Sequence, residues 1–118
     1  MGVRQAVGRY GERVAATFLE TQGLRVLDRN WRCRQGEIDI IALEAGCVVF
    51  CEVKTRRSDT CGAPVEAVTV PKQLRIRRLA AIWLAAQVVS FPEIRIDVVA
   101  ITLPRRGAAQ VTHFRGVG

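Results

Sequence analysis

Residues 36–54 constrain this chain most, because they place acids inside two runs that are otherwise apolar. The runs 38–43 and 48–53 are rich in β-branched residues, and a short glycine-containing turn joins them, which predicts an antiparallel hairpin. Strand side chains alternate between faces, so Glu37 and Asp39 share one face of the first strand, and Glu52 and Lys54 share one face of the second. With a two-residue turn at Ala45-Gly46, or a four-residue loop over 44–47, Asp39 faces Glu52 and Glu37 faces Lys54, with Cβ atoms about 5 Å apart. A three-residue loop would set Asp39 opposite Cys51 and turn Glu52 to the other face.

Facing carboxylates repel unless a cation lies between them, and hard divalent ions such as Mg²⁺ are held by one or two carboxylates with water and substrate phosphate. A lysine beside such a site can stabilise a developing anion or position an attacking water. The plainer alternative is an ordinary hairpin whose solvent face carries Glu-Lys and Asp pairs. Val48 and Phe50 share a face with Glu52, and Ile41 shares one with Asp39, so the acids end a face that is otherwise buried. That pattern favours a metal site.

A chain of 118 residues fits one domain, 1–118. No apolar run is long enough to span a bilayer and no export segment is read at the start, so the expectation is a cytoplasmic protein away from membranes. The formal net charge of +7 favours a polyanionic partner such as DNA or RNA, although a basic surface can also be merely solvated. Sixteen of the eighteen cationic side chains are arginine, part of which can reflect coding bias. Cys33, Cys47, Cys51 and Cys61 form no Cys-x-x-Cys pair, which argues against structural zinc and for free thiols. Cys47 and Cys51 fall on the strand face opposite Glu52, where a small thiol packs well.

Upstream, 4–21 reads as a helix whose apolar stripe is Val7, Tyr10, Val14 and Phe18, widened by Ala15 and Leu19. Glu12 lies on the widened flank, and can be a site residue or an exposed helical acid paired with an arginine. Residues 24–30 alternate as a strand, and 31–35 form a basic connector in which Trp31 belongs to the core. After Lys54 the pattern breaks into a polar loop through Pro64, where Arg56 and Arg57 are candidates for phosphate contact. Residues 65–68 form a short turn. A second helix spans 71–87, with Thr69 as N-cap and Pro71 in the first turn. Lys72, Arg75, Arg77 and Arg78 make its first half basic, and its apolar second half, including Trp83, suits the core. A strand at 94–103 follows, in which Asp97 reads as an edge or salt-bridge residue, and 111–114 adds a short last strand. His113, the only histidine, has no nucleophile in a suggestive setting and receives no catalytic role.

Helix, three strands, helix and strand in that order predict a mixed central sheet flanked by helices. In this order, Asp39 followed by Glu52-Val53-Lys54 resembles the Asp…Glu-x-Lys signature of the restriction-endonuclease-like superfamily, whose α/β fold has an αβββαβ core. The strings Tyr10-Gly11-Glu12, Gly36-Glu37-Ile38-Asp39-Ile40-Ile41-Ala42 and Phe50-Cys51-Glu52-Val53-Lys54-Thr55-Arg56 carry a more specific resemblance. So do Glu66-Ala67-Val68 ahead of Lys72, and Ile96-Asp97-Val98-Val99. Together they resemble the small bacterial YraN-like family, similar in core to archaeal Holliday-junction resolvases. One departure from the superfamily is Ile38, where many members have proline before the aspartate.

The resemblance implies a metal-dependent endonuclease that hydrolyses phosphodiesters in DNA, with branched or repair intermediates among the candidate substrates. Asp39, Glu52 and Glu12 would bind Mg²⁺ or Mn²⁺, Lys54 would orient or activate water, and Glu37 would stand beyond the direct ligands. Arg56, Lys72 and Arg75 would hold flanking phosphates. The similarity to junction resolvases implies a homodimer, because a two-fold substrate calls for a two-fold protein. The alternatives are a nucleic-acid-binding module with a nuclease fold that cuts nothing, and a cysteine-based redox or zinc protein.

Overall fold

The computed structural model describes residues 2–57 and 69–117. The elements run α1 (Val3–Thr21), β1 (Arg25–Cys33), β2 (Gly36–Glu44), β3 (Cys47–Arg57), α2 (Val70–Ala85), β4 (Glu93–Leu103) and β5 (Gln110–Phe114). This is the αβββαβ order with one further strand. The turn expected at 65–68, Cys61, the string Glu66-Ala67-Val68 and most of the polar loop lie outside the described residues. No helix among the described residues is long and apolar enough to cross a membrane.

The strands form one sheet in the order β1-β2-β3-β4-β5. Only β3 and β4 are parallel; the other neighbouring pairs are antiparallel. A parallel pair needs a crossover, and α2 supplies it between β3 and β4. The central hairpin has the two-residue turn Ala45-Gly46, with φ of +48° and +84°, a pair of left-handed residues whose twist matches that of the flanking strands. The turn sets Glu44 opposite Cys47 and Ile40 opposite Cys51, which is the register that brings Asp39 to Glu52.

Each face of the sheet has its own apolar cluster. Ala15 and Leu19 of α1 pack on Ile40, Val49, Cys51 and Val99 on one side. Ile76, Leu79, Ala80 and Trp83 of α2 pack on Ile41, Val48, Phe50 and Ile96 on the other, with Trp31 at the margin as expected. Trp83 meets Phe50 edge to face at 5.8 Å. Thr69 caps α2 by accepting a hydrogen bond from the Lys72 amide, with Pro71 in the first turn.

Three expectations change. The α1 stripe is centred on Gly11, Ala15 and Leu19, and Tyr10 is 44% exposed beneath the Arg13 guanidinium. The cause is close packing: a Cβ at Gly11 would overlap the Thr55 side chain, so small residues bring the helix backbone down onto β3. Residues 31–33 are strand, not connector, and only Arg34 and Gln35 turn the β1–β2 hairpin. Likewise β3 continues to Arg57, because β4 pairs with it in parallel to that point. For Asp97 the salt-bridge alternative holds, with Arg95 Nε at 2.8 Å, and the edge alternative does not, since β4 lies between β3 and β5.

A candidate metal and phosphate site

The site begins where β2 and β3 part. Their pairing ends at Ile40 and Cys51, whereas β3 runs on beside β4. Ile38 packs in the α2-side cluster and Ile40 in the α1-side cluster, so β2 rolls through Asp39. Asn30, across from Asp39 on β1, has φ +53° in mid-strand, an uncommon conformation that accommodates this roll. The Asp39 carboxylate enters the gap, and its Oδ2 accepts a 2.8 Å hydrogen bond from the Val53 amide. A side chain thus satisfies a backbone donor that the diverging strand no longer can.

Asp39 has no ion pair among the described residues. Burial is the main cause of a pKa raised from 3.8 to about 7; the Val53 hydrogen bond works against it, and the charges of Glu52, Glu12 and Glu37 add to the rise. These neighbours establish that β2, β3 and α1 bring the four acids within electrostatic reach. Glu12 is placed by α1 on the flank next to Gly11 and Ala15. Glu37 is exposed and pairs with Arg32 at 3.0 Å across β1; with the β2–β3 pairing ended, it does not face Lys54 as expected.

Glu52 carries a partner that the sequence reading had assigned elsewhere. Lys72 Nζ lies 3.1 Å from its Oε1. Lys72 heads the same α2 stripe as Ile76, Leu79, Ala80 and Trp83, which delivers its ammonium over the α2-side face of β3. That spacing was readable in the sequence and is the signal that could have found the pair. Lys72 also contacts Lys54. The hydrogen bond to Lys72, followed by burial and the neighbouring positive charge, lowers the Lys54 pKa. Burial works to lower Lys72, but its contacts with Lys54 and Glu52 prevail and hold it protonated. Lys54 is therefore the readier of the two to give up its proton.

Two grooves flank these acids. One of about 760 Å³ is lined by Arg9, Glu12, Arg13, Arg29, Arg32 and Glu37, among others. The second, also about 760 Å³, is lined by Glu12, Lys54, Thr55, Arg56 and Arg57, together with apolar residues of α1. Arg56 Nε is buried there with no hydrogen-bond partner among the described residues. Arg75 lies apart, in a shallower groove of about 400 Å³ with Lys72 and Arg78. The first groove was not anticipated, because its arginines come from α1 and β1, and only the fold brings them together.

Asp39 and Glu52 are oxygen donors suited to a hard divalent cation, and a cation there would relieve the charge that raises the Asp39 pKa. Among the described residues no three His, Cys, Asp or Glu side chains converge closely enough to enclose a metal by themselves. Mg²⁺ characteristically keeps several waters and needs only one or two carboxylates, so the donor set fits that ion.

A family model described as uncharacterised protein family UPF0102 matches residues 11–101, from the turn of α1 that carries Gly11 to Ile101 of β4. The chain belongs to the UPF0102 family. Its UPF0102 relatives include a protein of Kineococcus radiotolerans, 56% identical over 97% of this chain and 94% of its own length. A UPF0102 protein of Beutenbergia cavernae is 54% identical over the whole of both chains. Another from Streptomyces griseus subsp. griseus is 52% identical over 99% of each. The UPF0102 match covers every residue of the acid site, which lies between Glu12 and Lys72.

Proposed function

We propose that this UPF0102 protein is a metal-dependent endonuclease that hydrolyses phosphodiesters in DNA. The observation that carries the reading is Asp39, a half-buried carboxylate at the parting of two strands, close to three other acids and held by a single amide. Asp39 and Glu52 would hold Mg²⁺ or Mn²⁺, with Glu12 reaching the ion through one of its waters. When bound, the ion polarises the phosphate and lowers the pKa of water. Lys54 stands next to Glu52 and Lys72 in charge reach of Asp39, so it can orient the attacking water. In its neutral form the amine takes the water's proton as the oxygen bonds to phosphorus and the bond to the departing sugar oxygen breaks. Arg56 lines the groove beside Lys54 and would bind a neighbouring phosphate with its guanidinium.

The test incubates plasmid, branched and single-stranded DNA with Mg²⁺ or Mn²⁺, comparing the parent with Asp39→Ala and Lys54→Ala. Loss of cleavage in both variants supports the mechanism. Cleavage that survives both overturns it.

The Lys72–Glu52 pair favours a second reading, a nucleic-acid-binding module that cuts nothing, because an ammonium can stand in permanently for the metal. Calorimetry with Mn²⁺ separates the two: no heat of binding at millimolar ion would select the binding module.

A further inference from the structure

Helix α1 contains two glycines on its sheet-facing side, and only one has a packing reason. Gly11 is pressed on Thr55. At Gly8 a Cβ would meet no atom within 4 Å. A glycine inside a helix costs stability relative to alanine, so a glycine facing open space calls for another explanation. Gly8 lies one turn before Glu12 on the same helix face, and these two residues line both of the large grooves. The grooves therefore meet beneath the N-terminal half of α1, at the acids.

Both sides of this junction are basic. On the α1–β1 side, Arg9 and Arg29 have no ion pair among the described residues, and Arg32 is shared with Glu37. On the β3 side stand Lys54, Arg56 and Arg57, where β3 has no pairing with β2 beyond Cys51. Arginines with no ion pair among the described residues on both sides of a gap match a chain of regularly spaced phosphates better than one small anion.

We propose that one polynucleotide strand threads beneath α1, with its backbone passing Gly8 and its phosphates bound on one side by Arg9 and Arg29 and on the other by Arg56. The proposal rests on the reading of the protein as one that acts on nucleic acid, and adds that the substrate at the acids is a single strand. Gly8 is the positioning element: its lack of a side chain keeps the passage open. A duplex, which is too wide for a covered passage, would have to open locally to enter.

Binding of a fluorescent oligothymidylate to the full chain, measured in EDTA across a salt series, tests the passage without cleavage or metal. Gly8→Gln introduces a better helix former, so its Tm should rise by about 2–4 °C while its affinity falls about tenfold. Gly8→Ala should also raise Tm, with a smaller loss of affinity. Replacing Arg9 and Arg29 together by alanine should weaken binding and reduce the salt slope by about 1.4, near 0.7 for each phosphate contact on a single strand. A Gly8→Gln chain with raised Tm and parental affinity overturns the proposal, as does a double-arginine variant with an unchanged slope. Binding that follows these expectations without any cleavage in Mg²⁺ would leave the passage standing and remove the nuclease reading. Asp39-dependent cleavage of the same oligonucleotide, indifferent to Gly8→Gln, would do the reverse.

Discussion

Asp39 on β2 and Asp97 on β4 are both aspartates drawn into the sheet, and they have opposite fates. Asp97 is fully buried and accepts hydrogen bonds from Arg95 Nε at 2.8 Å, Arg95 Nη2 at 3.0 Å and the Gly116 amide at 2.9 Å, with His113 Nε2 at 2.7 Å. Arg95 reaches on to Glu44, which also binds Arg115, so the network ties the hairpin turn to β4 and the C-terminal residues. Burial would raise the Asp97 pKa, but the Arg95 fork, the amide and the histidine together bring it below the usual value. Asp39 accepts from one amide, feels three acids, and has Lys54 within charge reach but no ion pair among the described residues. Both carboxylates feel desolvation, and what sets them apart is how completely their partners offset it. One network is closed by the protein, and the other leaves charge for something else to balance.

The comparison is broken most forcefully at Asp97. Asp97→Ala would leave Arg95 with Glu44 alone and take the acceptor from the Gly116 amide and the partner from His113, and should cost about 3–5 kcal/mol in urea denaturation. A loss near zero would show that the closed network adds no stability.

At Asp39 the sign reverses. Because its folded pKa lies above the ordinary value, the folded state holds the proton more tightly, and stability is full below about pH 4 and drains as pH rises to about 7. Asp39→Asn, which cannot ionise, should therefore be more stable than the parent at pH 8 by about 2–4 kcal/mol without divalent ions, the upper figure being three units at 1.36 kcal/mol each. The gain should vanish near pH 4. Asp97, with a lowered pKa, contributes fully above the ordinary value near 3.8 and loses its contribution as pH falls below it. Thermal unfolding across pH would show both slopes, and parallel slopes for Asp39→Asn and the parent would refute the reading of Asp39.

A smaller effect belongs to the helix that carries Glu12. Gly11→Ala would drive a methyl group into Thr55 and should cost about 1–3 kcal/mol, measurable by denaturation. The added variant Thr55→Ala should recover part of it by removing the hydroxyl that the new methyl would meet first, together with the neighbouring methyl. The smallest expected change concerns the internal cation. Lys72→Met frees Glu52 from its ammonium and should tighten Mn²⁺ binding about five- to tenfold, or about 1 kcal/mol, in calorimetry. Weaker binding would mean that Lys72 supports the metal and does not compete with it.

Much of this architecture was legible because local chemistry dictates it. The alternation around Ala45-Gly46 set the hairpin register, Thr69 and Pro71 marked the start of α2, and the period of two put Asp39, Glu52 and Lys54 on the two strands of that hairpin. These signals act through backbone dihedrals and a face periodicity, both of which a short segment expresses by itself.

Other features were settled only when distant segments met. The α1 stripe shifted from Tyr10 to Gly11 because the close fit depends on Thr55 of β3, far along the chain. His113 appeared idle until β5 lay beside β4 and brought it to Asp97, and Lys72 met Glu52 only after the crossover placed α2 over β3. The sequence by itself determined which strand carries the acids and how its hairpin pairs, since both follow from period and turn. Tertiary structure decided which carboxylate is neutralised and which is left open, because a buried charge is defined by the partners packed around it, and those arrive from other elements.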